Sequence, residues 1–412
     1  MNPFKNISKR PIFRELSWYT FAQIVVQIVA FISAIVVTRY LGPVNLGLYS
    51  FVQNYVATLL TVGGGMDFYF MWKIAKSDNH VADVQQFVGY KFSIYILLTT
   101  FGIIGAIIVL PNDLAFLVAI MLVPACLNSL SVFSLYVTAT ERARLMSVVQ
   151  IIVSLALLVV KVVLVYTHSP LYFFVMVAAA DSALGGIIIA TVLLRQPLWK
   201  GFFRTFRLPS FMKSVTFLYS IRFSVLAIVF WQLLLRVDQL ILATFSNGYT
   251  LGIYAAAVKI AEVPNFLAGV LSTALVSRMA LISDKRDDAS LNPLLKIMPF
   301  YFFVGLAIAV VIIVCAPFAV RVLYGYQFEG SIAVLRAYAL SIPAMYMNYF
   351  FLGMYGARDK YYQQIGIFAF ALAANIILIY VLTPILGIPG TALATAIAYT
   401  IAALCFYINI KK

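Results

Sequence analysis

The sequence predicts an all-α integral membrane protein, with twelve transmembrane helices in two pseudo-symmetric six-helix lobes around a central cavity. Three observations predict this fold class. The 412-residue chain is 64% hydrophobic and only 10% charged, whereas soluble domains average about 25% charged residues. The apolar residues fall into runs long enough to cross a bilayer. The basic residues lie mostly in the breaks between those runs.

Each predicted span has roughly the 20 apolar residues that a transmembrane helix requires. The runs are approximately 16–38, 46–71, 86–110, 114–139, 145–166, 171–194, 212–245, 250–277, 294–320, 331–355, 361–383 and 388–410. The first run is too long for the apolar part of a signal peptide and lacks a small-residue cleavage site. We therefore expect it to remain as an uncleaved span.

The distribution of Lys and Arg predicts the orientation. Most of the 29 basic residues lie in the tails and the even-numbered loops, whereas the opposite loops hold Arg39 and Arg321. The positive-inside rule therefore places both termini in the cytoplasm. An even number of spans agrees with this, because it puts both termini on one side of the membrane. The net charge is +15. We expect the basic residues to contact anionic lipid headgroups, and we predict no nucleic-acid partner.

A repeated motif divides the chain near its midpoint. Leu46-Gly47-Leu48-Tyr49 opens the second run, and Leu251-Gly252-Ile253-Tyr254 opens the eighth, 205 positions later. Because each half has six spans, the halves would share one topology and relate by an axis along the membrane normal. We predict an N-lobe at 1–195, a cytoplasmic linker at 196–212 and a C-lobe at 213–412.

The predicted linker combines aromatic and basic residues with helical spacing. This pattern predicts an amphipathic helix on the inner leaflet, and the alternative is an ordinary solvated basic loop. The aromatic residues, at i, i+3, i+4 and i+7, are Trp199, Phe202, Phe203 and Phe206, and the basic residues between them are Lys200, Arg204 and Arg207.

The chain lacks the residues that common enzyme mechanisms require. Its two histidines lie in different loops, so no Ser-His-Asp set can be assembled, and no Walker motif is present. The three cysteines lie inside apolar runs without CxxC spacing, which predicts no metal site. The longest outer loop, roughly 321–331, is short for an acceptor-binding domain. We predict no catalytic residues and no bound cofactor.

Ionisable side chains inside a span cost several kcal/mol unless they face a cavity or a partner. Six positive and three negative residues lie at membrane depth, and this excess of positive charge predicts an anionic substrate. They are Lys91, Lys161, Asp181, Arg222, Arg236, Asp238, Lys259, Glu262 and Arg336.

The substrate-binding candidates are basic. Arg222 and Arg236 are fourteen residues apart and return to one helix face about 21 Å apart along the axis. Arginine binds phosphate oxygens in a bidentate manner, which suits a pyrophosphate. Lys259, Lys161 and Arg39 complete this set of candidates.

Structural roles remain open for several of these residues. Lys259 and Glu262, three residues apart, would neutralise each other, and Lys161 with Asp181 would form a buried pair between adjacent spans. Arg236 would alternatively reach the outer headgroups. We also expect Lys91 and Arg336 to reach the headgroups, because they lie near predicted span ends.

Four acidic residues are candidates for binding a coupling H⁺ or Na⁺. They are Asp181, Asp238, Glu262 and Asp67. Asp67 follows Gly63-Gly64-Gly65, a run that would serve either as a hinge or for close helix packing.

Three stretches resemble Wzx-type polysaccharide flippases. They are Thr38-Arg39-Tyr40-Leu41-Gly42-Pro43 with the motif at Leu46; Arg236-Val237-Asp238-Gln239-Leu240-Ile241-Leu242 with Leu251–Ile260; and Asn375-Ile376-Ile377-Leu378-Ile379 with Thr383-Pro384-Ile385-Leu386-Gly387-Ile388-Pro389-Gly390-Thr391-Ala392. They are spread over most of the chain and keep the family's order.

The resemblance implies the MOP superfamily and a bacterial inner-membrane flippase for undecaprenyl-pyrophosphate-linked oligosaccharides in O-antigen or capsule assembly. It also implies alternating access without ATP, driven by an H⁺ or Na⁺ gradient or the membrane potential. The polysaccharide polymerase and the chain-length regulator are the implied partners.

Related families provide the alternatives. MurJ-type lipid II flippases carry fourteen spans, so twelve argues against that subclass. MATE exporters have twelve but tend to export cations, which the basic interior disfavours. A MATE-like exporter of small amphiphiles is the first alternative, and a polymerase or transferase of the same pathway is the second.

Overall fold

The computed structural model describes residues 9–74, 77, 79–140, 143–199, 201–272, 295–356, 358 and 360–410. This part of the chain is helical almost throughout and contains no strand. The predicted all-α class is therefore confirmed. Residues 1–8 and 273–294, which contributed to the predicted orientation, lie outside the described residues.

The first half contains the helices α1 (Lys9–Leu60), α2 (Val62–Ile74), α3 (His80–Val109), α4 (Asn112–Ala125), α5 (Ser131–Ala139), α6 (Ala143–Tyr166), α7 (Leu171–Leu194), α8 (Phe202–Thr205) and α9 (Phe211–Ser220). The second contains α10 (Arg222–Phe245), α11 (Gly248–Glu262), α12 (Asn265–Ser272), α13 (Met298–Leu323), α14 (Ser331–Ala339), α15 (Ile342–Gly356), α16 (Tyr361–Leu386) and α17 (Ile388–Ile410). Single 3₁₀ turns occupy Cys126–Leu130, Pro197–Trp199 and Tyr326–Phe328.

A kink at Gly42 joins the first two predicted spans into α1. Gly42 has φ 66°, a left-handed conformation that glycine adopts without steric cost. Pro43 follows, and its fixed φ suits the first position of the next helical segment. The chain therefore turns between two helical segments without an intervening loop.

The helices are those of a multi-pass membrane protein. Within the described ranges, nine helices are long and apolar enough to cross a membrane, or ten if the bent pair α11–α12 is one span. One of the nine, Phe21–Met71, covers the first two predicted runs, and the tenth run is divided between α14 and α15. The structure therefore does not reproduce twelve separate spanning helices in the described ranges, although every predicted run contains helix.

The chain forms two compact units. Unit 1 comprises Met1–Val37 and Tyr55–Val225, and unit 2 comprises Thr38–Asn54 and Leu226–Lys412. The units differ from the predicted lobes because the division falls at Val225, and because Thr38–Asn54 packs with the second half.

Each unit has its own aromatic core. Phe70, Phe87, Phe133, Tyr136 and Trp199 are buried in unit 1. The core of unit 2 includes Trp231, Phe350, Phe351, Tyr399 and Phe406.

The segment after α7 does not form the predicted continuous amphipathic helix. A 3₁₀ turn ends at Trp199, Gly201 adopts φ 87°, and α8 is a single turn. Trp199 is 1% exposed and packs on Phe133 and Tyr136, with ring centroids 5.6 and 5.1 Å away. The aromatic face thus packs against the core of unit 1. Lys200 and the Phe203 side chain lie outside the described residues.

The two copies of the repeated motif meet inside unit 2. A Cβ at Gly47 would overlap the carbonyl oxygen of Gly248, and a Cβ at Gly252 would overlap the carbonyl oxygen of Pro43. The 205-residue offset that relates the glycines also relates Pro43 to Gly248. The contact is therefore reciprocal, and it depends on the absence of a side chain at both glycines.

Candidate functional site

A buried ion pair lies at the centre of unit 1. Lys91 is 2% exposed, and its Nζ lies 2.6 Å from Asp67 Oδ1 and 2.9 Å from Ser131 Oγ. The prediction that Lys91 reaches the headgroups is wrong. Its helix begins at His80, eleven residues earlier, which places Lys91 about 16 Å along the helix axis.

Asp67 borders a polar cavity that lies wholly within unit 1. The cavity has a volume of about 490 Å³. Its wall combines hydroxyl, amide and carboxylate groups with the apolar side chains of Val26, Met71, Leu135, Met146 and Val153. Its polar lining residues are Asp67, Ser131, Ser134, Thr138, Gln150, Ser154, Asp181 and Ser182.

Asp181 reaches the same cavity from α7. Lys161 of α6 exerts an electrostatic influence on Asp181. Among the described residues the two side chains form no ion pair, so the buried pair considered from the sequence is not formed. The carboxylate oxygens of Asp181 therefore remain open to the cavity.

Unit 2 holds a closed hydrogen-bond network around Asp238, which is 0% exposed. Its carboxylate accepts hydrogen bonds from the Tyr254 hydroxyl at 2.5 Å, the Gln239 backbone N–H at 2.7 Å and the Thr395 hydroxyl at 3.4 Å. The Gln239 side chain accepts a hydrogen bond from Asn54 at 2.8 Å. These groups are packed against each other rather than against a cavity.

Arg236 pairs with Glu262 across two helices of unit 2. The Nη1–Oε2 distance is 3.1 Å. Glu262 therefore pairs with a residue of α10, and the alternative pairing with Lys259 in its own helix is not formed as an ion pair. Lys259 Nζ instead lies 5.2 Å from the centre of the Tyr49 ring, a cation–π distance.

Arg222 begins α10, directly after the break between α9 and α10 at Ile221. Its guanidinium carbon lies 4.1 Å from the centre of the Tyr219 ring and 4.6 Å from that of Phe223. It also donates a hydrogen bond to the Tyr219 carbonyl at 2.9 Å. In the described part of the chain, no carboxylate forms an ion pair with Arg222.

The candidate Arg39 and the membrane-depth residue Arg336 both contact backbone carbonyls. Arg39 donates from Nε to the Leu323 carbonyl at 2.6 Å and also contacts that of Val322. These carbonyls are at the C-terminus of α13, where a cation is favourable. Arg336 donates to the Ile313 carbonyl at 3.3 Å. Arg39 therefore caps a helix in this conformation.

Sequence reasoning missed the neutral polar residues of both units. In unit 1 the signal was spacing: Ser131, Ser134 and Thr138 stand at i, i+3 and i+7, while Gln150 and Ser154 stand at i and i+4. Such spacing places them on common helix faces. In unit 2, Tyr254 belongs to the repeated motif, but its spacing gave no indication that it binds Asp238.

Long apolar helices that carry buried polar and charged side chains define the class of the protein as a polytopic membrane protein. The structure superposes on "Lipid II flippase MurJ, inward closed conformation" with a TM-score of 0.77 and 15% identity, covering 96% of this chain and 87% of that one. An inward-facing MATE transporter of the MOP superfamily matches with a TM-score of 0.73 and 16% identity, over 97% of both chains.

The Vibrio cholerae MATE transporter VcmN matches with a TM-score of 0.66 and 15% identity, covering 98% of this chain and 96% of that one. None of the three similar structures is of an enzyme, in agreement with the prediction for this chain. The fold is that of the MOP superfamily.

The chain belongs to the polysaccharide biosynthesis protein family, whose profile matches residues 12–283. No curated protein matches the chain. Family and fold together confirm the resemblance to Wzx-type flippases of the MOP superfamily.

Proposed function

We propose that this protein is a flippase for undecaprenyl-pyrophosphate-linked oligosaccharides. It moves repeat units from the cytoplasmic to the periplasmic leaflet by alternating access, for O-antigen or capsule assembly. It resides in the bacterial inner membrane with both termini in the cytoplasm. The polysaccharide polymerase and chain-length regulator are its proposed partners.

The observation that carries this proposal is a transporter fold in a chain of the polysaccharide biosynthesis family. The positive charge of Arg222 supports this proposal. Its guanidinium is held between aromatic rings and a carbonyl, and no described carboxylate neutralises it. Arginine in this setting binds phosphate oxygens with directed hydrogen bonds.

The proposed driving force is an H⁺ or Na⁺ gradient or the membrane potential. Asp181 and Asp67, which reach the cavity of unit 1, are the candidate groups that an ion would meet directly. Asp238 and Glu262 are each already bound by protein partners. A coupling role for these two would require their partners to release them.

Deletion of the gene tests the substrate. We expect undecaprenyl-linked repeat units to accumulate on the cytoplasmic leaflet, as identified by mass spectrometry of extracted lipids, with loss of surface polysaccharide. Normal surface polysaccharide in a deletion strain that has no paralogue would contradict the proposal.

Substitution of Arg222 tests the anion site. We expect Arg222→Ala to lower export strongly at unchanged protein level, and Arg222→Lys to retain part of it because the charge remains. Arg207→Ala, an exposed arginine of the nearby loop, is the matched control and should export normally. Full export by Arg222→Ala would remove this residue from the substrate path.

A MATE-like exporter of small amphiphiles is the second candidate. The observation in its favour is the similarity to a MATE transporter over 97% of both chains. In that case, deletion would alter resistance to cationic dyes and leave surface polysaccharide intact.

A further inference from the structure

We propose that the polar cavity of unit 1 binds the uncharged sugar rings of the lipid-linked glycan, at a site separate from the one for its pyrophosphate. This inference rests on the proposed function for the identity of the substrate. Its own basis is the chemistry of the cavity wall, which suits a neutral molecule with many hydroxyl groups.

Three helices contribute polar faces to this wall. α5 presents Ser131, Ser134 and Thr138, α6 presents Gln150 and Ser154, and α7 presents Asp181 and Ser182. Gly185 adds room, because a Cβ there would meet no atom within 4 Å. Gly186 lets α7 approach the backbone at Leu130 closely. Small residues therefore both open the cavity and bring its walls together.

Several groups of the wall offer hydrogen-bond acceptors to a ligand. Thr138 and Ser182 donate their hydroxyl protons to backbone carbonyls of their own helices, at 2.9 and 2.8 Å. Their oxygens therefore remain as acceptors. Asp181 makes no hydrogen bond in the described structure and offers two carboxylate oxygens, and Asp67 offers the oxygen that Lys91 does not bind.

The wall also offers donors. The Gln150 side-chain oxygen accepts a hydrogen bond from Gln23 at 2.9 Å, so the amide N–H₂ of Gln150 remains to donate. The hydroxyls of Ser131, Ser134 and Ser154 are further donors on the wall. A wall with both acceptors and donors matches a ligand whose hydroxyl groups do both. Sugar rings are such ligands.

Charge and size suit a neutral ligand. Asp67 is paired with Lys91, but Asp181 forms no ion pair among the described residues, and its carboxylate disfavours a pyrophosphate because juxtaposed like charges are costly. The volume of about 490 Å³ lies within the 300–1,000 Å³ typical of small-molecule sites. No described group of three or more acidic, histidine or cysteine side chains is arranged to hold a metal ion.

The proposal can be tested by equilibrium binding to the purified full chain in lipid nanodiscs. The two probes are undecaprenyl pyrophosphate and undecaprenyl-pyrophosphoryl-N-acetylglucosamine, which differ only by the sugar. We expect the sugar to improve binding by roughly tenfold, corresponding to one or two net hydrogen bonds. Thr138→Val with Ser182→Ala should abolish this gain and leave binding of the bare lipid within about twofold.

A matched control comes from hydroxyls on the same scaffold. Thr191 on α7 and Thr100 on α3 are exposed and donate to carbonyls of their own helices, but neither lines the cavity. Thr191→Val with Thr100→Val should therefore keep the full gain from the sugar. An equal loss in both double variants would indicate a general effect on the helices and would overturn the proposal.

The outcomes separate this inference from the proposed function. A wild-type protein that binds both lipids equally well overturns the sugar site and leaves the flippase intact. Failure to bind either lipid overturns both. Sodium binding that Asp181→Asn abolishes, together with an unchanged sugar gain in the Thr138 and Ser182 variant, would assign the cavity to a cation and overturn the sugar site.

Discussion

The two units keep polar groups inside apolar helices in opposite ways. In unit 1, hydroxyls and carboxylates line a cavity of about 490 Å³. In unit 2, Asp238 is fully buried and its carboxylate is bound by Tyr254, Thr395 and a backbone N–H. Substitution at a cavity wall leaves a surface that water can solvate, whereas substitution in a closed network leaves an unpaired buried group. The comparison predicts binding defects in unit 1 and stability defects in unit 2.

The largest stability effect is expected from Glu262→Gln in unit 2. It leaves the Arg236 guanidinium without its countercharge. We expect a loss of about 2–3 kcal/mol in unfolding free energy, below the 3–5 typical of fully buried pairs because both side chains keep some exposure. Unfolding in mixed micelles of SDS and a mild detergent provides the measurement.

Glu329→Gln is the control for this pair. Glu329 pairs with Arg321, and both side chains are 49% exposed, so its loss should change stability by less than about 1 kcal/mol. Equal effects of the two substitutions would show that burial does not distinguish these pairs.

Gly47→Ala should cost about 1–3 kcal/mol, because the new Cβ overlaps the backbone of Gly248 and overpacking forces the helices apart. Gly366→Ala provides the matched control, since a Cβ at Gly366 in α16 meets no atom within 4 Å. The same melting assay should show Gly366→Ala at or slightly above wild type. A neutral Gly47→Ala would mean that the close contact does not persist in the membrane.

A smaller effect is expected from Tyr254→Phe, which removes the hydroxyl that donates to Asp238 and keeps the ring. We expect a loss of about 1–2 kcal/mol, because the buried carboxylate loses a donor. Tyr166→Phe is the control, because Tyr166 is exposed at the end of α6. Identical unfolding curves for both variants would show that Asp238 finds another donor.

The smallest stability effect should come from Thr138→Val in unit 1. The two side chains have the same shape, and the lost hydroxyl is bonded only to its own helix. We expect a change below about 0.5 kcal/mol. A loss as large as that of Tyr254→Phe would remove the distinction between cavity wall and closed network.

The fold class was predictable because it depends on composition and run length, which the sequence carries directly. The position of Lys91 was not predictable from hydropathy. Hydropathy places the start of this apolar run at residue 86, because the first turns of α3, from His80, are polar. Helix caps and polar first turns hide several residues of helix from a hydropathy window.

Side-chain pairings between different helices were harder to predict from the sequence than the position of Lys91. Spacing within α11 identifies Lys259 as a neighbour of Glu262, but the ion pair forms with Arg236 on α10. Helical periodicity gives the face of a side chain and not the helix that packs against it. The same limit hid the hydrogen bond between Asn54 and Gln239, two neutral residues far apart in sequence.

The reciprocal contact of the repeated motif constrains both of its copies at once. When residue i of one copy meets residue j of the other, and j meets i, the surfaces have the form of an isologous dimer interface. A side chain at Gly47 or Gly252 would strike the other copy's backbone, so a substitution at either glycine would disturb the same interface from opposite sides.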